Sequence, residues 1–426
     1  MATKLLNRYN IKLYPIYKMF SWDLLFYYAI IYLFLTLEKG LSASLVLLVT
    51  AICQLSKSIF QLLCVSIVDL LKSRKGLILA NICCTISTIL LIISEDLTMI
   101  IISNIIFAFS YTMRQLCEST ILYETIPEHK SRNKLFSKID GIGQSHFYYI
   151  DSISAILAGF LFIVNHYIPL ILCLIFNCIS TGIACKFKNP LEKQASESIL
   201  KRRKNFSKYI EERKNILKFI LHSKRLKCLL IYSGIFTGIL TLFIDLRSIV
   251  LTEFNFKSEY FGIAIALIQM ISAISSKKTN VIQHWLRNKT LTVFAFVNVI
   301  PLIMIGIGLA CNLSYSINIT MVCIWLILYA ITKGPFYTLI KRYLQSFSTS
   351  SVTTKVYGLD TMLTSTCATL LSLFSSFLLN YISVAGTLII LGSTLSVIFL
   401  ILLDYMRNYV GLKPEEYKKS EITYVE

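Results

Sequence analysis

Twelve long apolar runs, six on each side of a single basic tract, constrain this chain more than any other feature of its sequence. A hydrocarbon core about 30 Å thick takes about 20 apolar residues of helix to cross. Inside it each segment must satisfy its own backbone hydrogen bonds, which leaves helices or a closed barrel. The runs here are continuous rather than alternating, and continuous runs make helices. They fall at 16–37, 42–69, 77–94, 97–125, 138–164 and 167–185, then at 228–251, 259–283, 290–311, 316–345, 352–380 and 384–406. The expected fold is all-α: a polytopic membrane protein of twelve transmembrane helices in two six-helix bundles.

The tract between the halves, Lys186 to Lys227, holds fourteen Lys/Arg against four Glu. It sets the expected domains: an N-terminal bundle at 1–187, a basic linker at 188–227, a C-terminal bundle at 228–409 and a tail at 410–426. The net charge of +19 would suggest phosphate partners in a soluble protein. Its placement argues otherwise. With the N-terminus inside, 36 of the 42 Lys/Arg fall in inward segments, while the outward links hold only Lys39 and Lys257. Cations crowd the cytoplasmic loops of membrane proteins, so the surplus reports topology and argues against nucleic acid as a partner. Both termini are expected in the cytoplasm, in a multi-pass protein of the cytoplasmic membrane that sits in the lipid bilayer as a monomer.

Most of the twelve Cys lie within apolar runs, as Cys53, Cys84 and Cys173 do, and lack Cys-x-x-Cys spacing. Buried thiols are the expected reading. The five His are scattered, so neither a metal nor another cofactor is expected. No Gly-x-x-x-x-Gly-Lys-Ser/Thr run provides an ATPase, and no cluster of acids and His marks an enzyme. The run that follows Lys4, Arg8, Lys12 and Lys18 is too long for a signal-peptide core and is read as a retained helix.

Charges inside spans cost about 2.5–3.5 kcal/mol each on insertion scales and usually face a cavity or a partner. In span two Thr50, Gln54, Lys57 and Gln61 form one polar stripe; Lys57 is placed on a solute pathway or against a carboxylate of a neighbouring helix. Span four sets Arg114 and Glu118 four residues apart, where they can pair. Glu118 is a candidate to exchange a proton while Arg114 holds an anion or the deprotonated acid, a static pair being the competing reading. In span five Asp151 lies deep and is a pathway candidate, whereas Asp140 near the inner end is expected against basic loop residues. Span seven contributes Asp245, with Gly234 and Gly238 for close helix approach. Span ten carries Tyr329 and Lys333 as a cavity wall, next to Pro335, where a kink is possible.

The run Val65-Ser66-Ile67-Val68-Asp69-Leu70-Leu71-Lys72-Ser73-Arg74-Lys75 resembles the signature of the major facilitator superfamily between spans two and three, Gly-x-x-x-Asp followed by Arg, Gly and basic residues. Asp69 and Arg74 match it; Val65 and Lys72 stand where it has glycine. Arg114 matches an arginine of span four in that family, with Glu118 in place of a later glycine. The Gly-Pro motif of many drug/proton antiporters is absent from Ala155 to Phe160. The segments SWDLLFYYAIIYLFLTLEKG, KGPFYTLIKRYL and LDYMRNYVGLKPEEYKK look like a bacterial, mostly uncharacterised subgroup. Over nearly the whole length, the resemblance implies a secondary active transporter that moves a small solute by alternating access, with Asp69 and Arg74 at a cytoplasmic gate. Protons are the suggested coupling ion, and export is favoured over uptake. The competing class is a polytopic membrane sensor or membrane enzyme without transport activity.

Overall fold

The computed structural model describes residues 2–21, 24–126, 132–188, 223–346 and 353–407. Most of the basic tract, the tail from residue 408, and Trp22 and Asp23 lie outside the described residues. The first part of the chain forms α1 (Ala2–Ser21), α2 (Ile31–Leu33), α3 (Ala43–Leu71), α4 (Ser73–Ile93), α5 (Leu97–Thr125), α6 (Arg132–Val164) and α7 (Ile168–Lys186). The second forms α8 (Lys224–Glu253), α9 (Ser258–Lys277), α10 (Thr279–Leu286), α11 (Thr290–Ala310), α12 (Tyr315–Ser346), α13 (Thr353–Tyr381) and α14 (Val384–Arg407). Among the described residues there is no strand, and eleven helices are long and apolar enough to cross a membrane. Local chemistry marks their ends. α7, for example, opens with Pro169, where a missing N–H is harmless, and closes on Lys186, whose cation suits the carbonyl end of a helix.

Two expected spans are corrected. The first run does not form one helix over 16–37. Its start belongs to α1, which reaches back to Ala2; the chain then turns, with Phe26 at φ +66°, and resumes as α2 and a π-helical turn at Phe34–Glu38. Irregular backbone at membrane depth survives where protein rather than lipid surrounds it, and Leu25, Phe26, Tyr27, Ile30 and Phe34 are all buried. The eighth run, expected over 259–283, stops as α9 at Lys277. Lys278 leaves helical geometry at φ −96°, ψ 15°, and the remaining residues form the short, separate α10.

The described residues divide into two compact units. One takes those within 1–40, 52–209 and 257–266; the other takes those within 41–51, 210–256 and 267–426. The first unit is built on α4 packed against α5 and α7, with α1 against α6, α7 and α5. The opening residues of α9 also belong to it. Gly262 lies so close to α6 that a Cβ there would stand 2.1 Å from the Ala155 carbonyl oxygen, so only glycine fits. The second unit centres on α8 against α13, α14 and α12, and on α11 between α12 and α14. Its share of α3 is fastened by a reciprocal pair, Ser44 Oγ donating to the Ser376 carbonyl at 2.7 Å and Ser376 Oγ to the Ser44 carbonyl at 2.8 Å.

Candidate functional site

The polar residues of α1 follow a helical stripe: Asn10, Tyr14, Tyr17, Lys18 and Ser21 recur at three- and four-residue spacing, and all are buried. The stripe faces the first unit's interior, so its partners must come from neighbouring helices. Asn10 clasps Lys188, donating to its carbonyl at 2.8 Å and accepting from its amide at 3.0 Å. Tyr17 and the side chain of Asn81 on α4 lie 3.1–3.2 Å apart.

Lys18 and Tyr14 hold the centre. The Lys18 ammonium, 3% exposed, lies 3.2 Å from Glu118 Oε1 on α5 and in direct ion-pair contact with Asp140 on α6. The Tyr14 hydroxyl stands 2.8 Å from Asp140 Oδ1 and 3.1 Å from Glu118 Oε1; its one proton can serve only one acid at a time. Gly143 on α6 makes room, since a Cβ there would come within 2.9 Å of Lys18 Cδ. One lysine and one phenol thus tie three helices through two carboxylates. Removing a single partner from such a buried set leaves an uncompensated charge, at a typical cost of about 3–5 kcal/mol.

Arg114 sits one turn from Glu118 and is 2% exposed. Its guanidinium donates to the carbonyl of Ser21, the last residue of α1, and lies 3.7 Å from Cys84 Sγ. A cation at a helix C-terminus complements the carbonyl end of the dipole. The two residues that the sequence set as a pair therefore have separate named contacts: Glu118 meets Lys18 and Tyr14, and Arg114 caps α1.

The other expected residues distribute between the units. In the first, the Lys57 ammonium lies over the rings of Tyr111 at 4.3 Å and Phe107 at 5.4 Å, a cation–π seat. Asp151 is buried on α6. In the second, Asp245 is buried on α8 and hydrogen-bonds the Thr50 hydroxyl. Tyr329 is buried, donates to the Leu240 carbonyl at 3.2 Å and lies beneath the half-buried Lys333. Tyr329 is thus part of an aromatic core with Phe243 and Trp325.

Sequence reasoning missed Lys18, which it counted among the loop cations, and Tyr14 beside it. The signal was present: a polar stripe on the first span, spaced as on span two. It also missed Asp360 on α13, which accepts a hydrogen bond from Ser233.

A sequence model of the Major Facilitator Superfamily matches residues 19–304. The chain belongs to that superfamily. No curated protein matches its sequence, but solved structures share the fold of this major facilitator protein. A POT family transporter in complex with 5-aminolevulinic acid superposes with a TM-score of 0.69 at 14% identity, covering 94% of this chain and 96% of the other. The nucleoside transporter NupG gives 0.67 at 11%, with 94% and 99% covered. A D-xylose-proton symporter gives 0.67 at 11%, with 94% and 96% covered. The protein is accordingly a multi-pass membrane transporter.

Membership gives meaning to one strained residue. Lys72, standing where the family signature has glycine, joins α3 to α4 at φ +67°, ψ 152°, a region essentially reserved for glycine. Arg74, two residues on, donates to the Cys185 carbonyl at 2.7 Å and so caps α7; the Asp69 side chain lies outside the described residues.

Proposed function

We propose that this major facilitator protein is a proton-coupled secondary transporter of a small solute, and that Glu118 is the group that takes and releases the coupling proton. The observation that carries the reading is the buried contact of Lys18 with Glu118 and Asp140 together. With both acids ionised, Lys18 ties α1 to α5 and α6 at once. A proton on Glu118 leaves Lys18 wholly to Asp140, and the α1–α5 tie weakens while the α1–α6 tie strengthens. A single proton thereby redistributes the Lys18 contact between α5 and α6 within the first unit, while Arg114 keeps α5 on the end of α1. Glu118 is chosen over Asp140 by its burial, 7% against 35% side-chain exposure.

In this reading Lys57, Arg114, Asp151 and Asp245 contribute to the solute path, with Tyr329 and Lys333, while Asp69 and Arg74 belong to a cytoplasmic gate. The protein resides in the cytoplasmic membrane with both termini inside, supported by the crowding of Lys/Arg in alternate links. Net direction follows from the imposed gradient and the solute's affinity on each side.

The test is transport in proteoliposomes with an imposed pH gradient, screened over amino acids, short peptides, nucleosides, pentoses and organic cations. Entrapped pyranine reports proton movement when a compound is added. Glu118→Gln is expected to abolish acceleration by the gradient while leaving counterflow exchange of the same solute. Full retention of coupling in Glu118→Gln removes Glu118 from the role; failure of every compound class removes transport of these solutes.

A further inference from the structure

α10 is amphipathic in an unusual sense. Its polar residues Thr279 and Gln283, four apart, are buried against the protein, and its apolar residues Val281 and Trp285, also four apart, point outward. Trp285 is 83% exposed and Val281 66%. Exposed cations bracket the helix, Lys277 and Lys278 before it, Arg287 and Lys289 after it. Tryptophan favours the interface between hydrocarbon and headgroups, and basic residues beside it attract anionic lipid.

A second observation lies next to it. An apolar groove of about 430 Å³ runs between α11 and α12, lined on α11 from Thr292 to Met304 and on α12 by Met321, Ile324 and Leu328. The twelve rises from Thr292 to Met304, about 1.5 Å each, make the groove about 18 Å long, a little over half of a hydrocarbon core of about 30 Å. Its Thr292 end lies three residues from Lys289, a rise of about 4.5 Å along the same chain. A leaflet-deep apolar slot whose lining helix opens just after two cations and a helix bearing an exposed tryptophan has the chemistry of one ligand.

We propose that α10 and the α11–α12 groove form a binding site for an anionic phospholipid, with an acyl chain in the groove, the phosphate at Arg287 and Lys289, and Trp285 at the headgroup boundary. The occupant fits the groove by length and the rim by charge. The site belongs entirely to the second unit, and it holds whether or not the transport reading above is right.

The test uses the full chain in nanodiscs that contain phosphatidylglycerol or phosphatidylcholine brominated on the acyl chains. The fluorescence of Trp285 is isolated as the difference between wild type and Trp285→Phe. Brominated phosphatidylglycerol should quench that component at a mole fraction roughly tenfold lower than phosphatidylcholine needs, and the R287Q/K289Q double variant should erase the preference. High salt should weaken it too. For the groove, Val297→Trp should reduce the phosphatidylglycerol retained in native mass spectra of the detergent-released protein, with helical circular dichroism unchanged as the control for folding. Ile300→Trp is the second variant should the first fail to fold. Equal quenching by the two lipids, or retention unaffected by filling the groove, overturns the proposal.

Discussion

In the first unit the opening helix sends Lys18 to Asp140 on α6; in the second the opening helix offers Asp360 on α13 the hydroxyl of Ser233. The places correspond, since α6 and α13 are each the fifth long segment of their half. Tyr17 and Tyr232 correspond as well: the first hydrogen-bonds the side chain of Asn81 on α4, the second donates to the Leu291 carbonyl on α11 at 2.7 Å. Around Tyr232 the second unit fills its interior with Phe236, Phe336 and Phe399, whose centroids lie 4.2–6.3 Å apart. A similar helix plan thus carries ions in one unit and rings in the other. A proton can rearrange the first arrangement but not the rings; in the second unit the groups it could reach are Asp245 and Asp360, which stand outside that ring cluster's contacts.

The largest effect should come from breaking the ionic side. Lys18→Met leaves Glu118 buried and Asp140 half-buried without their cation, at about 3–5 kcal/mol for the buried charge. The variant should lose most of its folded yield and melt far below wild type, measured by thermal unfolding in detergent. Adding Glu118→Gln to it should recover part of that loss, because one fewer charge is stranded. Two effects that simply add would mean the residues are not coupled.

Breaking the aromatic side should cost nearly as much but differ in kind. Phe236→Ala opens a cavity beneath Phe336 and Tyr232, worth about 3 kcal/mol. Melting should fall, while the pH dependence of any transport should keep its midpoint. A shifted midpoint would show that the second unit also titrates in the cycle and would dissolve the contrast.

A smaller, opposite effect is expected at Lys72. Both units place a non-glycine residue in left-handed backbone at the corresponding link, Lys72 at φ +67° and Arg287 at φ +47°. Lys72→Gly relieves that strain and should stabilise by about 1 kcal/mol. An unchanged or lower melting temperature would mean that the contacts of the lysine outweigh its backbone cost.

Much of this was legible in the sequence, for identifiable reasons. Span positions follow from unbroken apolar runs, and nine long helices start and stop within a few residues of them. Small-residue spacing is equally local: Ala155 and Gly159 do meet Gly262 and Ser258, and Gly234 and Gly238 meet Leu363, Cys367 and Ala368. The broken first span was not legible, because Leu24 to Leu35 is as apolar as any lipid-facing run, and only its burial permits the turn. Nor was the Lys18 cluster, since a lysine near a helix end scores as a loop cation until α5 and α6 bring acids to it. Partner choice depends on which helices are neighbours, and spacing within one helix, as at Arg114 and Glu118, does not show the contacts that α1 brings to each of them.

The smallest effect should arise where ionic contacts of the first unit lie outside its spans. Glu38 Oε2 lies 2.6 Å from His166 Nδ1, and the His166 ring stacks on Phe162 at 4.3 Å. The hydrogen bond from His166 holds the Glu38 carboxyl below its usual range. A depressed carboxyl contributes stability at pH above its unfolded value of about 4.3 and loses it as pH falls through the folded value. The histidine side chain is 39% exposed and the glutamate 25%, so solvent screens the contact and it is worth at most about 1 kcal/mol. Glu38→Gln should therefore lower the melting temperature slightly at pH 6 and leave it level with wild type near pH 3. A gap that widens toward acid would reverse the sign of the linkage. A loss as large as that of Lys18→Met would mean that burial is not what separates a strong ionic contact from a weak one in this protein.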